Sequence, residues 1–159
     1  MGEPSQTLTR IRELLTTRGV DFREVHHEVT PTSEDSARAR GEDLSTGGKA
    51  LLMKVGTEFR LFVLPANLRA DCGAIRRQLG AKKMRFATSD ELRELTGLVP
   101  GSVPPFGRPI LPFDLYVDQR IRDNERIAFN AGSLTDSIIM SVPDYLSLAQ
   151  PTDVLAFGK

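Results

Sequence analysis

A glycine pair and a lysine stand directly before an apolar run in the segment STGGKALLMKV, residues 45–55. Such a pair suggests the phosphate-binding loop of nucleotide hydrolases, in which backbone amides and a lysine hold phosphates and a following hydroxyl binds magnesium. The spacing does not fit, because the first glycine of that motif would fall at Asp43 and the hydroxyl position is Ala50. An ATPase is therefore disfavoured. The Lys49 ammonium lies at a strand end, either facing a cleft or extending into water.

Two further segments have residue types suited to binding a carbonyl or phosphate oxygen. In GLVPGSVPPFG, residues 97–107, glycines allow close approach to the main chain and prolines restrict its shapes. In FNAGS, residues 129–133, the sequence changes from apolar to small and polar, and the Asn130 amide can both donate and accept hydrogen bonds. Both segments also have the composition of ordinary turns.

Nucleophilic and metal chemistry find little support in the sequence. The serines considered as nucleophiles lack the G-x-S-x-G context: Ser33, Ser36 and Ser133. Cys72 is the only cysteine, and His26 and His27 are the only histidines, which leaves no credible zinc ligand set. The two histidines are adjacent on a predicted strand, so their side chains should face opposite ways. We expect neither a cofactor nor a metal.

Length and charge narrow the class of protein. The chain has 159 residues, and we expect residues 1–159 to form a single domain. Lys and Arg balance Asp and Glu at 21 each, so a nucleic-acid partner would have to be held by a local patch. The basic stretch 69–85 is either such a patch or a solvated helix face. With no secretory leader or membrane-length apolar run, the sequence predicts a cytoplasmic protein.

The elements that would position these residues are short. Helical spacing and capping residues predict helices near residues 8–19, 33–40, 71–79 and 89–96, and a short helix or turn at 143–148. Apolar runs predict strands at 22–28, 49–55, 59–64, 84–87, 110–118, 126–130, 137–141 and 154–157. Several connections are too short for parallel crossovers, so we expect an α/β (α+β) fold with a mixed, largely antiparallel central sheet or partial barrel flanked by helices.

Three segments in order, GGKALLMKV, ELRELTGLVPGSVPPFG and FNAGS leading into SIIMSVPDYLSL, resemble the YbaK family. This is the aminoacyl-tRNA editing domain that is also associated with prolyl-tRNA synthetases. The resemblance spans nearly the whole chain. It implies a free-standing deacylase whose substrate is the ester at the acceptor end of an aminoacyl-tRNA, and a synthetase as a second partner is compatible with it.

The resemblance also implies roles for individual residues. Lys49 matches the family's essential lysine, which holds the phosphate backbone beside the scissile ester. Gly97, Pro100 and Gly101 would lie against the aminoacyl group. A second wall would be formed by residues 130–133: Asn130, Ala131, Gly132 and Ser133. Some relatives have a histidine just after this segment, where this chain has Leu134 and Thr135.

An ester hydrolase of this kind needs no side-chain nucleophile. An aminoacyl ester is already activated, so fixed donors that orient the carbonyl and stabilise negative charge can suffice. We hypothesise that the free hydroxyl of the terminal ribose helps to position water. The amino acid that is removed stays open among alanine, cysteine, serine and threonine. A catalytically inactive tRNA- or synthetase-binding module, and an enzyme acting on other small acyl esters, are the alternatives.

Overall fold

The structure is a computed structural model that describes residues 5–159. The helices are α1 Gln6–Thr17, α2 Ser33–Arg40, α3 Cys72–Leu79, α4 Ser89–Thr96 and α5 Val142–Ala149. The strands are β1 Phe22–His26, β2 Gly48–Val55, β3 Glu58–Pro65, β4 Met84–Phe86, β5 Leu115–Asp118, β6 Arg126–Asn130, β7 Asp136–Ser141 and β8 Asp153–Leu155. Within the described residues, every helix is too short or too polar to cross a membrane.

The strands form two sheets. One has three strands in the order β1-β7-β6, all antiparallel. The other has five strands in the order β4-β2-β3-β5-β8, in which the β3–β5 and β5–β8 pairs are parallel. The predicted mixed α/β fold with largely antiparallel pairing is therefore confirmed, and it takes the form of two packed sheets.

One predicted strand is shorter than expected. The apolar run beginning at Ile110 suggested a strand over 110–118, but β5 begins at Leu115. Pro109 and Pro112 have no amide hydrogen for a sheet ladder, and the Ile110 and Leu111 amides instead donate to the Gly107 carbonyl. Residues 107–114 thus extend the ordered loop that precedes the sheet.

Capping hydrogen bonds determine where α2 and α4 begin. α2 begins where the Thr32 hydroxyl accepts a hydrogen bond from the Asp35 amide, and it ends at Gly41 in the left-handed conformation. α4 begins with a capping box between Thr88 and Glu91. These caps fix where the two helices begin, and residues 97–107 follow α4 directly in the chain.

The loop of residues 97–107 is held by the core beneath it. The Tyr145 hydroxyl on α5 donates to the Pro105 carbonyl at 2.6 Å. Phe106 is buried and makes edge-to-face contacts with Phe129 and Tyr145. The loop is therefore anchored through apolar packing and one buried hydrogen bond.

The two sheets meet beside the start of β2. Gly47 makes a parallel bridge to Ala128 on β6. A Cβ atom added at Gly48 would lie 2.6 Å from Cδ1 of Ile127, so glycine is what lets β2 approach β6 this closely. Lys49 follows directly after this contact.

Candidate functional site

A cavity of about 460 Å³ opens where the two sheets meet. Its wall includes four of the residues predicted to form the site: Lys49, Pro100, Gly101 and Asn130. Most of the rest of the wall comes from the segment before α2, from α2 itself and from the start of β2, with single residues added by the turn after β3, by the loop 97–107 and by the turn between β6 and β7. These contributors are Val29, Thr30, Pro31, Thr32, Ser33, Ser36, Arg40, Gly47, Gly48, Ala50, Leu51, Ala66, Val103 and Leu134.

Lys49 is half-buried at the start of β2, where it pairs in register with Leu64 of β3. Burial lowers the pKa of its ammonium, and the positive charge of nearby Arg69 lowers it further. Two cations close enough to perturb each other favour an anion between or beside them. The surroundings of Lys49 therefore suit a phosphate or another anionic oxygen.

We expect substrate binding to weaken as the pH rises. The loss should begin at a lower pH than it would for a lysine with an ordinary pKa. The lowered pKa means that Lys49 loses its charge below the ordinary value of 10.5. The measurement is the affinity for a base-stable amide analogue of the aminoacylated acceptor end, followed from pH 7 upward. Lys49→Arg should remove this alkaline loss, since a guanidinium stays charged. An identical decline in both proteins would contradict the assignment.

Asn130, the last residue of β6, links this strand to the loop of residues 97–107. Its amide nitrogen donates to the Gly101 carbonyl at 2.7 Å. Its amide oxygen accepts from Nη2 of Arg40 at 3.1 Å and from Oγ of Ser137 at 3.2 Å. These partners fix which way the Asn130 amide points and hold Gly101 at the edge of the cavity.

The other predicted site residues do not belong to the cavity wall. Gly97 ends α4 with a φ of 75°. Gly132, at φ 80°, donates its amide to the Ser102 carbonyl and would meet Thr7 if it carried a Cβ. Ala131 is fully buried, and the Ser133 hydroxyl donates to Asp136 at 2.8 Å. Each holds the local backbone, and their contact with a substrate stays a prediction.

The side chains of Ser137 and His27 contact each other outside the cavity wall. Nε2 of His27 lies 2.8 Å from Oγ of Ser137, a spacing that suggests a nucleophile and its base. Ser137 is fully buried, however, and its hydroxyl is also bonded to Arg40 and Asn130. It therefore serves as an internal contact rather than as a group open to a substrate. Within residues 5–159, no three His, Cys, Asp or Glu side chains gather as metal ligands.

The basic stretch 69–85 divides into two parts. Arg69 is exposed and near Lys49, as the effect on the lysine pKa indicates. Most of the other cations of the stretch line a separate groove near the far end of β2, together with Lys54 of that strand: Arg76, Lys82, Lys83 and Arg85. Arg85 is also bonded through both terminal nitrogens to Glu91. Arg69 is thus the cation of this stretch whose charge affects Lys49.

Two curated proteins are similar to this chain in sequence. The Multifunctional Ser/Thr-tRNA deacylase ProXp-y of Escherichia coli (strain K12) is 38% identical over 157 residues, which cover 95% of this chain and 93% of that protein. Proline--tRNA ligase of Shouchella clausii (strain KSM-K16) is 37% identical over 100 residues, covering 63% of this chain and 17% of the ligase.

A solved structure extends the likeness to the fold. The crystal structure of a candidate trans-editing enzyme for prolyl tRNA synthetase superposes with a TM-score of 0.84 at 26% identity, covering 99% of both chains. The family model for the aminoacyl-tRNA editing domain matches residues 27–148. The resemblance to an editing deacylase that the sequence suggested is confirmed, and the chain belongs to the aminoacyl-tRNA editing domain family.

Proposed function

We propose that this protein is a free-standing editing deacylase that removes serine or threonine from mischarged tRNA in the cytoplasm. In this proposal residues 1–159 act as one editing domain and Lys49 is its catalytic residue. The observation that carries it is the convergence of Lys49, Gly101 and Asn130 on one cavity from three separated parts of the chain. A synthetase partner is compatible with the proposal but is not required by it.

The cavity supports a hydrolysis that uses fixed groups and water. The Lys49 ammonium would hold a phosphate of the acceptor end, which places the ester beside it. The exposed backbone at Pro100 and Gly101 would lie against the aminoacyl group, where the Asn130 contact holds it. The neighbouring ribose hydroxyl would position the attacking water, so that no protein nucleophile takes part.

The choice of serine or threonine rests on the cavity wall together with the relative. Thr30 and Ser36 both line the cavity, and their hydroxyl oxygens are 2.6 Å apart. Such hydroxyls can exchange partners with the side-chain hydroxyl of a bound serine or threonine. A site built to hydrogen-bond a hydroxyl discriminates strongly against a substrate that lacks one. The E. coli relative is itself a Ser/Thr-tRNA deacylase.

We expect the protein to deacylate seryl- and threonyl-tRNA faster than alanyl-, cysteinyl- or prolyl-tRNA. The measurement is the first-order loss of radiolabelled amino acid from each tRNA at equal protein concentration, corrected for spontaneous hydrolysis. Replacing the hydroxyl neighbours with Thr30→Val and Ser36→Ala should narrow the preference for serine over alanine.

Two other results would contradict the proposal in different ways. Salt-sensitive tRNA binding with no turnover of any ester would favour an inactive tRNA-binding module. Equal turnover of small acyl esters and of aminoacyl-tRNA would favour a general esterase.

A further inference from the structure

Arg40, the last residue of α2, is a buried cation inside the editing cavity. Only 7% of its surface is exposed, and burial lowers the pKa of its guanidinium to about 10. Among residues 5–159, no carboxylate lies within ion-pair distance of it, whereas its neighbour Arg38 is paired with Asp35. A buried charge is costly unless something compensates it, so the absence of an acid requires an explanation.

Hydrogen bonds hold two of the three side-chain nitrogens of Arg40. Nε donates to Oγ of Ser137 at 2.9 Å, and Nη2 donates to Oδ1 of Asn130 at 3.1 Å. The remaining nitrogen, Nη1, lies 3.4 Å from the point that a Cβ atom on Gly47 would occupy. Within residues 5–159, Nη1 has no hydrogen-bond partner and is not a fully buried atom, so it is accessible to a ligand, and both Arg40 and Gly47 line the cavity.

The charge of the cavity wall points to the same ligand chemistry. Lys49 and Arg40 both line the cavity, and no Asp or Glu does so in the part of the chain that the structure describes. Lys49 is half-buried and near exposed Arg69, whereas Arg40 lies deeper. The outer cation is thus suited to the acceptor-end phosphate and the inner one to a charge that forms within the bound ester.

We propose that Arg40 is an oxyanion-binding residue, whose Nη1 donates to the carbonyl oxygen of the aminoacyl ester as that oxygen becomes negative. This inference rests on the proposed deacylase function. Water attacks the carbonyl carbon, and the carbonyl π pair moves onto its oxygen, where Arg40 stabilises the charge. When the carbonyl re-forms, the bond to the ribose oxygen breaks. That oxygen leaves with the bonding pair and takes up the proton that the water loses, which yields the amino acid and deacylated tRNA.

The test compares two acceptor-end RNAs that share every phosphate. In one, serine is joined to the terminal ribose by a neutral, planar amide; in the other, an anionic, tetrahedral phosphonate replaces the carbonyl. Arg40→Gln should weaken phosphonate binding about 10²-fold or more, and amide binding far less, because only the phosphonate resembles the charged intermediate. The value of kcat for seryl-tRNA should fall by a similar factor with KM little changed.

Controls separate this role from a structural one. Arg40→Lys keeps the charge and should recover part of the phosphonate affinity, even if Arg40→Gln lowers the melting temperature. Arg126→Gln removes an exposed arginine paired with Glu42 and should change neither affinity. Equal weakening of both analogues by Arg40→Gln would overturn the proposal, because a phosphate contact or a distorted cavity affects both. If the wild type deacylates no tRNA, the proposed function fails before Arg40 is tested.

Discussion

Replacing Lys49 by alanine should reduce the rate of tRNA deacylation about 10²-fold or more, because the acceptor-end phosphate would no longer hold the ester in its reactive position. The protein should stay folded, because the substitution removes a cation whose lowered pKa reflects unfavourable burial and the positive charge of Arg69. Single-turnover deacylation of seryl-tRNA, with thermal unfolding measured on the same preparation, checks both statements.

Lys54 offers a matched control on the same strand. It lies five residues further along β2, so its side chain faces the opposite side of the sheet, and its ammonium is 5.8 Å from the centre of the Phe59 ring. Lys54→Ala also removes one positive charge, but it should leave the single-turnover rate near that of the wild type. A similar loss in both variants would mean that overall charge, and not the position of Lys49, controls the reaction.

Replacing Asn130 by aspartate should lower the deacylation rate about 10²-fold, although the two side chains have nearly the same size and shape. The hydrogen bond to the Gly101 carbonyl, now 2.7 Å, would become a contact between two acceptors. The new carboxylate would also lie beside Arg40 and neutralise its charge in the cavity. The measurement is kcat for seryl-tRNA, together with the affinity for the phosphonate analogue.

Asn124 provides the corresponding control. Its amide nitrogen also donates to a main-chain carbonyl, that of Ser45, at 2.8 Å, but Asn124 does not line the cavity. Asn124→Asp introduces the same chemical change and should preserve most of the rate. Normal activity in Asn130→Asp would show that neither the Gly101 contact nor a free Arg40 charge is needed.

Local signals in the sequence were enough to predict most of the elements. Each of these signals depends on residues that are close together in the sequence. They are the Thr32 and Thr88 caps, the glycines that end the helices, and the apolar runs of β2 and β3. The strand predicted over 110–118 began too early, at Ile110 and not at Leu115, because prolines removed hydrogen-bond donors within an otherwise apolar run. The division into two sheets depends on contacts distant in sequence, which local patterns do not encode.

The candidate site could be predicted only in part, because it too depends on contacts between residues distant in sequence. Lys49, Pro100, Gly101 and Asn130 stood in segments with unusual composition, and all four line the cavity. Arg40 was missed because the acids and arginines of α2 match its dipole, which made Arg40 look like an ordinary surface charge. Its burial against Asn130 and Ser137 joins residues 90 or more apart in sequence.

The site is shared between the two sheets, and this affects how its selectivity can change. Lys49 belongs to the five-stranded sheet and Asn130 to the three-stranded one. The distance between them depends on the contact of Gly48 with Ile127, a core residue outside the cavity wall. We expect a larger or smaller side chain at position 127 to alter the width of the cavity, although Ile127 does not line it. In the proposed deacylase, the size of the accepted amino acid would then depend partly on the packing of the hydrophobic core.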